Sequence, residues 1–230
     1  YSCGLSSTPS MFMSIINFDM DASVEITASH LPMEMNGLKF FTREGGFSGD
    51  DIKVILTIAQ EKPYTVTDVL GEAEKLNNME KYCADLCEMI KQGVNGENFH
   101  KPLEKLKIVV DAGNGVGAFY AEKVLMPLGA DVSGSINLEP DGRFPNHIPN
   151  PENEYAMECA SKATVAASAD LGIIFDTDVD RAGAVGPDGE EINRNRLVAL
   201  ASVLACEDCP NGTIVTDSIT SSGLKVFIEN

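Results

Sequence analysis

The chain has 230 residues, with 35 acidic against 17 basic side chains and a formal charge of −18. A phosphate backbone is bound by clustered lysine and arginine, so this balance argues against nucleic acid as a partner. A hydrophobic content of 43% and a charged content of 23% are those of a globular chain able to bury a core, at a length that suggests one large domain or two small ones.

In chain order, Thr8 and Pro9 suit the N-cap and first residue of a helix carrying Met11, Ile15 and Phe18. Ser23–Ala28 alternates as a short strand, which Ser29-His30-Leu31-Pro32 breaks because the residue before proline is pushed from helical dihedrals. Asn36-Gly37 then turns the chain into a second strand, Leu38–Phe41, leaving a loop at a strand end. Asp50–Ala59 reads as a helix, and Leu76, Met79, Cys83, Leu86 and Ile90 mark an amphipathic one in which Cys83 and Cys87 serve packing. Gln92–Pro102 is the candidate linker. Beyond it come strand Lys107–Val110, a glycine-rich turn, helix Val116–Met126, strand Ala130–Ser135, a proline-rich loop, helix Glu152–Ala167 and strand Asp170–Phe175. Such alternation implies an αβ domain with a parallel sheet covered by helices. A hairpin around Pro187-Asp188-Gly189 and a helix Arg194–Cys206 follow, then a strand Thr213–Thr216 and a helical pattern from Ser221 to Asn230. Tyr1 in place of an initiator methionine, and that last pattern without a stop signal, suggest a processed or partial chain.

No apolar stretch reaches the roughly 18 to 20 residues that span a bilayer, and no secretory signal opens the chain, so a soluble intracellular protein with reduced thiols is expected. Cys206 and Cys209 form one CxxC, but a structural zinc site needs four ligands and no second pair stands nearby.

The sharpest chemical signal is Asp176-Thr177-Asp178-Val179-Asp180-Arg181, directly after a buried-looking strand. In extended backbone its three carboxylates share a face and repel one another unless a cation sits among them, and all-oxygen ligands select a hard metal, Mg²⁺ or Mn²⁺. An EF-hand is excluded because Arg181 and Pro187 stand where glycine and glutamate belong; a solvated acidic loop is the plainer alternative. A second signal is Thr27-Ala28-Ser29-His30-Leu31-Pro32 with Asn36-Gly37-Leu38-Lys39. Ser29 is available as a nucleophile, His30 could polarise it, and Lys39 could transfer a proton if its pKa were lowered; alone, the segment also suits a simple turn. Gly113, Gly115 and Gly117 miss the dinucleotide spacing and suit a tight strand-to-helix turn. The four prolines of Pro140–Pro151 fix an extended loop, in which His147 either stabilises the loop or touches substrate.

Taken together, Gly4–Pro9, the Ser29 loop, Asn36–Lys39, Asp111–Gly117, Glu139–Pro151, Ala169–Arg181 and Pro187–Glu190 resemble, in order, the motifs of the α-D-phosphohexomutase family of phosphoglucomutases, phosphomannomutases and phosphoglucosamine mutases. The resemblance implies αβα layered domains with mixed, mainly parallel sheets around a cleft. The chain would hold the latter part of domain one (1–95), domain two (96–209) and the start of domain three (210–230). It further implies that Ser29 is a phosphoserine with His30 beside it, that Asp176, Asp178 and Asp180 hold Mg²⁺, that Lys39 transfers protons, and that Arg181 contacts substrate. Hexose phosphates and a hexose bisphosphate would be the ligands. The sugar-selecting loop of domain three and the phosphate-binding loop of domain four lie outside this chain, which alone should not turn over substrate. Leu31 stands where the family usually has asparagine, and Thr177 and Val179 where it has glycines. These departures leave room for a non-catalytic relative with a binding or assembly role. The Ser-His-Leu-Pro spelling is similar to divergent phosphoglucomutase-like proteins of photosynthetic eukaryotes, so plastid stroma joins cytoplasm as an expected compartment.

Overall fold

The computed structural model describes residues 1–62, 71–216 and 218–229. The first unit is an antiparallel layer of β1 (Ala22–Ile26), β2 (Leu38–Thr42) and β3 (Gly45–Gly46). Helix α1 (Thr8–Asn17) packs on this layer, with Phe12 meeting Phe41 edge-on at 6.1 Å. The N-cap of α1 is Ser7, one residue before the expected Thr8. Ser10 decides this: its amide donates to Ser7 Oγ and its own Oγ accepts from the Ser7 amide, a reciprocal capping box that Thr8 could not form. Thr8 therefore becomes the first helical residue. Helix α2 (Gly49–Glu61) follows and buries none of its residues.

Helix α3 (Asn78–Val94) packs against α1 and against the second unit, whose core includes its Tyr82 and Cys83. That unit is built on a mixed sheet, with β4 (Ile108–Asp111) parallel to β5 (Leu171–Phe175) and β5 antiparallel to β6 (Ala182–Val185). Neighbouring residues on a strand point to opposite faces, so Ile173 packs into the cluster with Tyr82 and Phe119, while Ile174 joins Ala156, Met157 and Ala160 of α4 (Glu154–Ala166). Both faces of the sheet are thus covered, as an αβα layering requires. The hairpin after β6 is reduced to a bridge between Val185 and Glu191.

Three expected elements differ. The helix expected over Val116–Met126 begins at Ala118 and is π-helical over Tyr120–Leu125, because Val116 and Gly117 are spent in a turn that carries the chain past the loop after β5. The strand Ala130–Ser135 is reduced to isolated parallel bridges at Asp131 and Ile136. Gly134 at φ +104° interrupts the ladder, and the Ser135 hydroxyl substitutes for a backbone acceptor by taking the Val110 N–H at 3.0 Å. Thr213–Thr216 forms no strand: no sheet edge pairs with it among the described residues, and Val215 is 88% exposed. Helices α5 (Arg194–Asp208) and α6 (Ser222–Glu229) pack on each other, and Asn230 lies outside the described residues. Among the described residues no helix is long and apolar enough to cross a membrane.

Candidate active site

The two units meet where the β1–β2 loop faces the β5–β6 loop. The first loop is closed at its base by the Thr27 amide donating to the Gly37 carbonyl at 3.0 Å. A Cβ on Gly37 would lie 2.9 Å from the Thr27 carbonyl oxygen, so glycine permits this closure. Inside the loop Ser29 takes φ +53°, and its amide donates to Thr27 Oγ1 at 2.8 Å, which holds the strained residue in place.

The facing loop, Asp176–Arg181, leaves the carboxyl end of β5 as a turn rather than as extended backbone. The Arg181 amide donates to Asp176 Oδ1 at 3.1 Å and the Asp176 amide to the Arg181 carbonyl at 3.2 Å. The expected convergence of Asp176, Asp178 and Asp180 therefore occurs, but by turning and not by strand pleat; one carboxylate oxygen from each lies within 4.8 Å of the others. Of the two residues standing at the family's glycines, Val179 alone adopts a left-handed backbone, φ +64°. That conformation costs a side chain roughly 1–2 kcal/mol, and burial of Val179 against the core around Val116 and Phe119 opposes the cost.

Across the interface Ser29 Oγ lies 3.2 Å from Asp176 Oδ2 and 3.3 Å from His30 Nδ1, and accepts a hydrogen bond of 2.9 Å from Arg181 Nη2. Arg181 also donates to Asp176 Oδ2 and to His30 Nδ1. An arginine only donates, so the single lone pair of His30 Nδ1 is taken by Arg181, and Asp176 Oδ2 is the base open to the Ser29 proton. Lys39 Nζ reaches Asp178 Oδ2 at 2.7 Å and Asp180 Oδ2 at 2.6 Å. All seven residues singled out in the sequence are thus gathered at one place.

The electrostatics explain the arrangement. Burial, and then repulsion from Asp178, push the Asp176 carboxyl up to about 6. Burial works the same way on Asp178, but hydrogen bonds from Lys39 and Thr8 outweigh it and hold that carboxyl below the usual range. Burial tends to lower Lys39, yet its bonds to Asp178 and Asp180 prevail and raise it. The lowered pKa on which proton abstraction by Lys39 was conditional is therefore not found; Lys39 is held charged. Asp178 Oδ1 is buried without any hydrogen-bond partner. A carboxylate oxygen left so, within a set of three acidic side chains, fits a hard cation, and the triad could hold a metal.

Sequence reasoning missed two neighbours. Thr8 Oγ1 donates to Asp178 Oδ2 at 2.8 Å. Glu25, inward-facing on β1 opposite Lys39, is driven up to about 7 by burial and by Asp178, with Lys39 opposing. The visible signal for Glu25 was an acidic residue inside a strand pattern. His147 is not at this site: it is buried on Asp111 at 2.9 Å and stabilises the proline-rich loop.

Gly115 sets how closely the turn after β4 approaches the acidic loop. A Cβ there would fall 2.5 Å from the Thr177 carbonyl oxygen and 2.8 Å from its Cα. Gly115→Ala is expected to cost about 1–3 kcal/mol by overpacking and to weaken Mn²⁺ binding. Thermal unfolding and calorimetry check both, against Gly142→Ala, whose added methyl meets nothing within 4 Å.

Residues 1–65 match the family model described as phosphoglucomutase/phosphomannomutase, alpha/beta/alpha domain I, and residues 81–189 match domain II. A phosphoglucomutase of Neisseria meningitidis is 29% identical over 226 residues, covering 98% of this chain and 47% of its own. A protein of Methanosphaera stadtmanae named a probable phosphoglucosamine mutase is 31% identical over 230 residues, covering 98% and 48%. A crystal structure of a phosphoglucomutase/phosphomannomutase family protein from Burkholderia thailandensis superposes with a TM-score of 0.76 at 28% identity, covering 91% of this chain and 43% of its own. The chain spans about half the length of the curated relatives it matches. With two successive domain models of one family matched in order, and the serine and acidic loops facing each other across the junction, this chain belongs to the phosphoglucomutase/phosphomannomutase family.

Proposed function

We propose that the full-length protein interconverts hexose 1-phosphates and 6-phosphates through a phosphorylated Ser29 and a hexose bisphosphate, with Mg²⁺ held by Asp176, Asp178 and Asp180. One observation carries the reading: Ser29 Oγ lies 3.2 Å from a carboxylate oxygen of Asp176, 147 residues away in sequence. When bound, the cation would neutralise charge on the transferring phosphoryl group.

In the forward half the bond between Ser29 Oγ and phosphorus breaks as a sugar hydroxyl oxygen bonds to phosphorus. In the return half Ser29 Oγ attacks the other phosphate of the bisphosphate as the bond from phosphorus to the sugar oxygen breaks, and the seryl proton passes to Asp176 Oδ2 and on to the departing sugar oxygen. Lys39, held charged, donates a hydrogen bond to the reacting sugar oxygen and takes up no proton; in the forward half the sugar hydroxyl gives its proton through Asp176 Oδ2 to the departing Ser29 Oγ. Arg181, already donating to Ser29 Oγ, grips the phosphate oxygens.

A second reading, a non-catalytic subunit that binds or assembles, is favoured by the apolar rim of the serine loop, where Ile26, Leu31, Met33, Met35 and Leu38 are all exposed. Incubating the full-length protein with glucose 1,6-bisphosphate separates the two. The enzyme reading expects Ser29 to gain one phosphate on peptide mapping; an unmodified Ser29 supports the binding subunit.

A further inference from the structure

We infer that Thr8 is a positioning residue that aims Asp178 at the cation, an inference that rests on the metal reading of the acidic triad. Thr8 is 8% exposed and is the first residue of α1, so its side chain is fixed by the helix that the Ser7–Ser10 capping box initiates. It binds Asp178 twice: its amide donates to the Asp178 carbonyl at 2.9 Å, and its hydroxyl donates to Oδ2 at 2.8 Å. The same hydroxyl accepts from Lys39 Nζ at 3.4 Å, which also donates to Oδ2 at 2.7 Å.

Oδ2 is therefore occupied by two donors, while Oδ1 is buried with none. A carboxylate pinned through one oxygen cannot rotate freely, and the other oxygen is left to face an ion. The threonine belongs to the first unit and the carboxylate to the second, so this contact also ties the register of the acidic loop to the helix that packs behind the serine-bearing strands. A hydroxyl is required for both exchanges, since it donates to Asp178 while accepting from Lys39. Valine has the same shape and can do neither.

The test is Mn²⁺ binding to the full-length protein by titration calorimetry, with far-UV dichroism as the check of folding. Thr8→Val is expected to weaken binding about tenfold, as loss of a ligand-orienting bond commonly does, and Thr8→Ser to restore it to near the parental value. Thr8→Ala, which lacks both hydroxyl and methyl, gives the same reading should valine disturb the fold. Rescue by serine distinguishes orientation of the ligand from mere packing. Parental affinity in folded Thr8→Val or Thr8→Ala, alongside loss of binding in Asp178→Asn, overturns the role of Thr8. Parental affinity in Asp178→Asn as well overturns the metal reading, and the inference with it.

Discussion

Ser29→Ala in the full-length protein is expected to remove hexose phosphate mutase activity by roughly 10³-fold or more, the scale seen when a covalent nucleophile is deleted, while leaving the fold intact. The side chain is partly exposed and its loop is closed by bonds it does not supply, namely Thr27 to Gly37 and Thr27 Oγ1 to the residue 29 amide. Alanine at φ +53° bears the same strain as serine, so stability should change little. Arg181→Lys provides the graded comparison. It keeps a positive charge but loses the planar fork that reaches Ser29 Oγ, Asp176 Oδ2 and His30 Nδ1 together. Its loss should be smaller, on the order of 10²-fold, in the range of a single electrostatic donor. Steady-state rates with glucose 1-phosphate, on protein whose melting temperature matches the parent, check both. A Ser29→Ala protein as active as the parent would exclude the phosphoserine mechanism.

How far such residues could be seen in advance depended on whether their partners were near in sequence. The periodicity of α1 and α3 was legible because a helix face is a local pattern. The cap of α1 was displaced by one residue because the deciding partner was Ser10, whose reciprocal bond outweighs the plain preference for threonine before proline. Strand β1 was legible as a strand and illegible as to its faces. Val24 and Ile26 are exposed at 43% and 69%, whereas Glu25 is buried. The usual rule, apolar inward, inverts here because the inner face abuts the acidic triad and Lys39 rather than a hydrophobic core. The acidic triad itself was legible from composition, since three carboxylates so close call for a cation whatever the backbone does. Its turn geometry was not, because it depends on Val179 accepting a left-handed conformation in exchange for burial. The role of Thr8 lies 170 residues from its partner, and no local pattern announces it.

Asp111→Ala is expected to be the most destabilising of these substitutions, by about 3–5 kcal/mol, the scale for removing one member of a buried ion pair, or a fall in melting temperature of roughly 10 °C. Asp111 closes β4 with no exposed surface and accepts from three donors: the Gly113 amide at 3.0 Å, Asn137 Nδ2 at 2.9 Å and His147 Nε2 at 2.9 Å. Alanine strands all three. The geometry favours a charged imidazole, because Nδ1 faces the Ile148 carbonyl at 2.9 Å and Nε2 faces a carboxylate, so both nitrogens are placed to donate. Burial opposes that charge, but Asp111 outweighs it and raises His147 above its ordinary value of 6.5. A group whose pKa is raised on folding stabilises fully below its unfolded value and loses that stabilisation as pH climbs through the folded one. The melting temperature of the parent should therefore exceed that of His147→Gln most at pH 6, and the gap should narrow as pH rises toward 9. A gap that widens as pH rises would mean that folding keeps the ring neutral, and a gap independent of pH that folding does not shift it; either overturns the charged pair. The pair Asp141–Arg143, in the same loop at 2.6 Å, is the control: Arg143 is exposed and Asp141 partly so, and water can replace the lost bonds, so Asp141→Ala should lower the melting temperature far less. Two aspartates in one neighbourhood then differ in consequence because the donors stranded around Asp111 have no water to turn to.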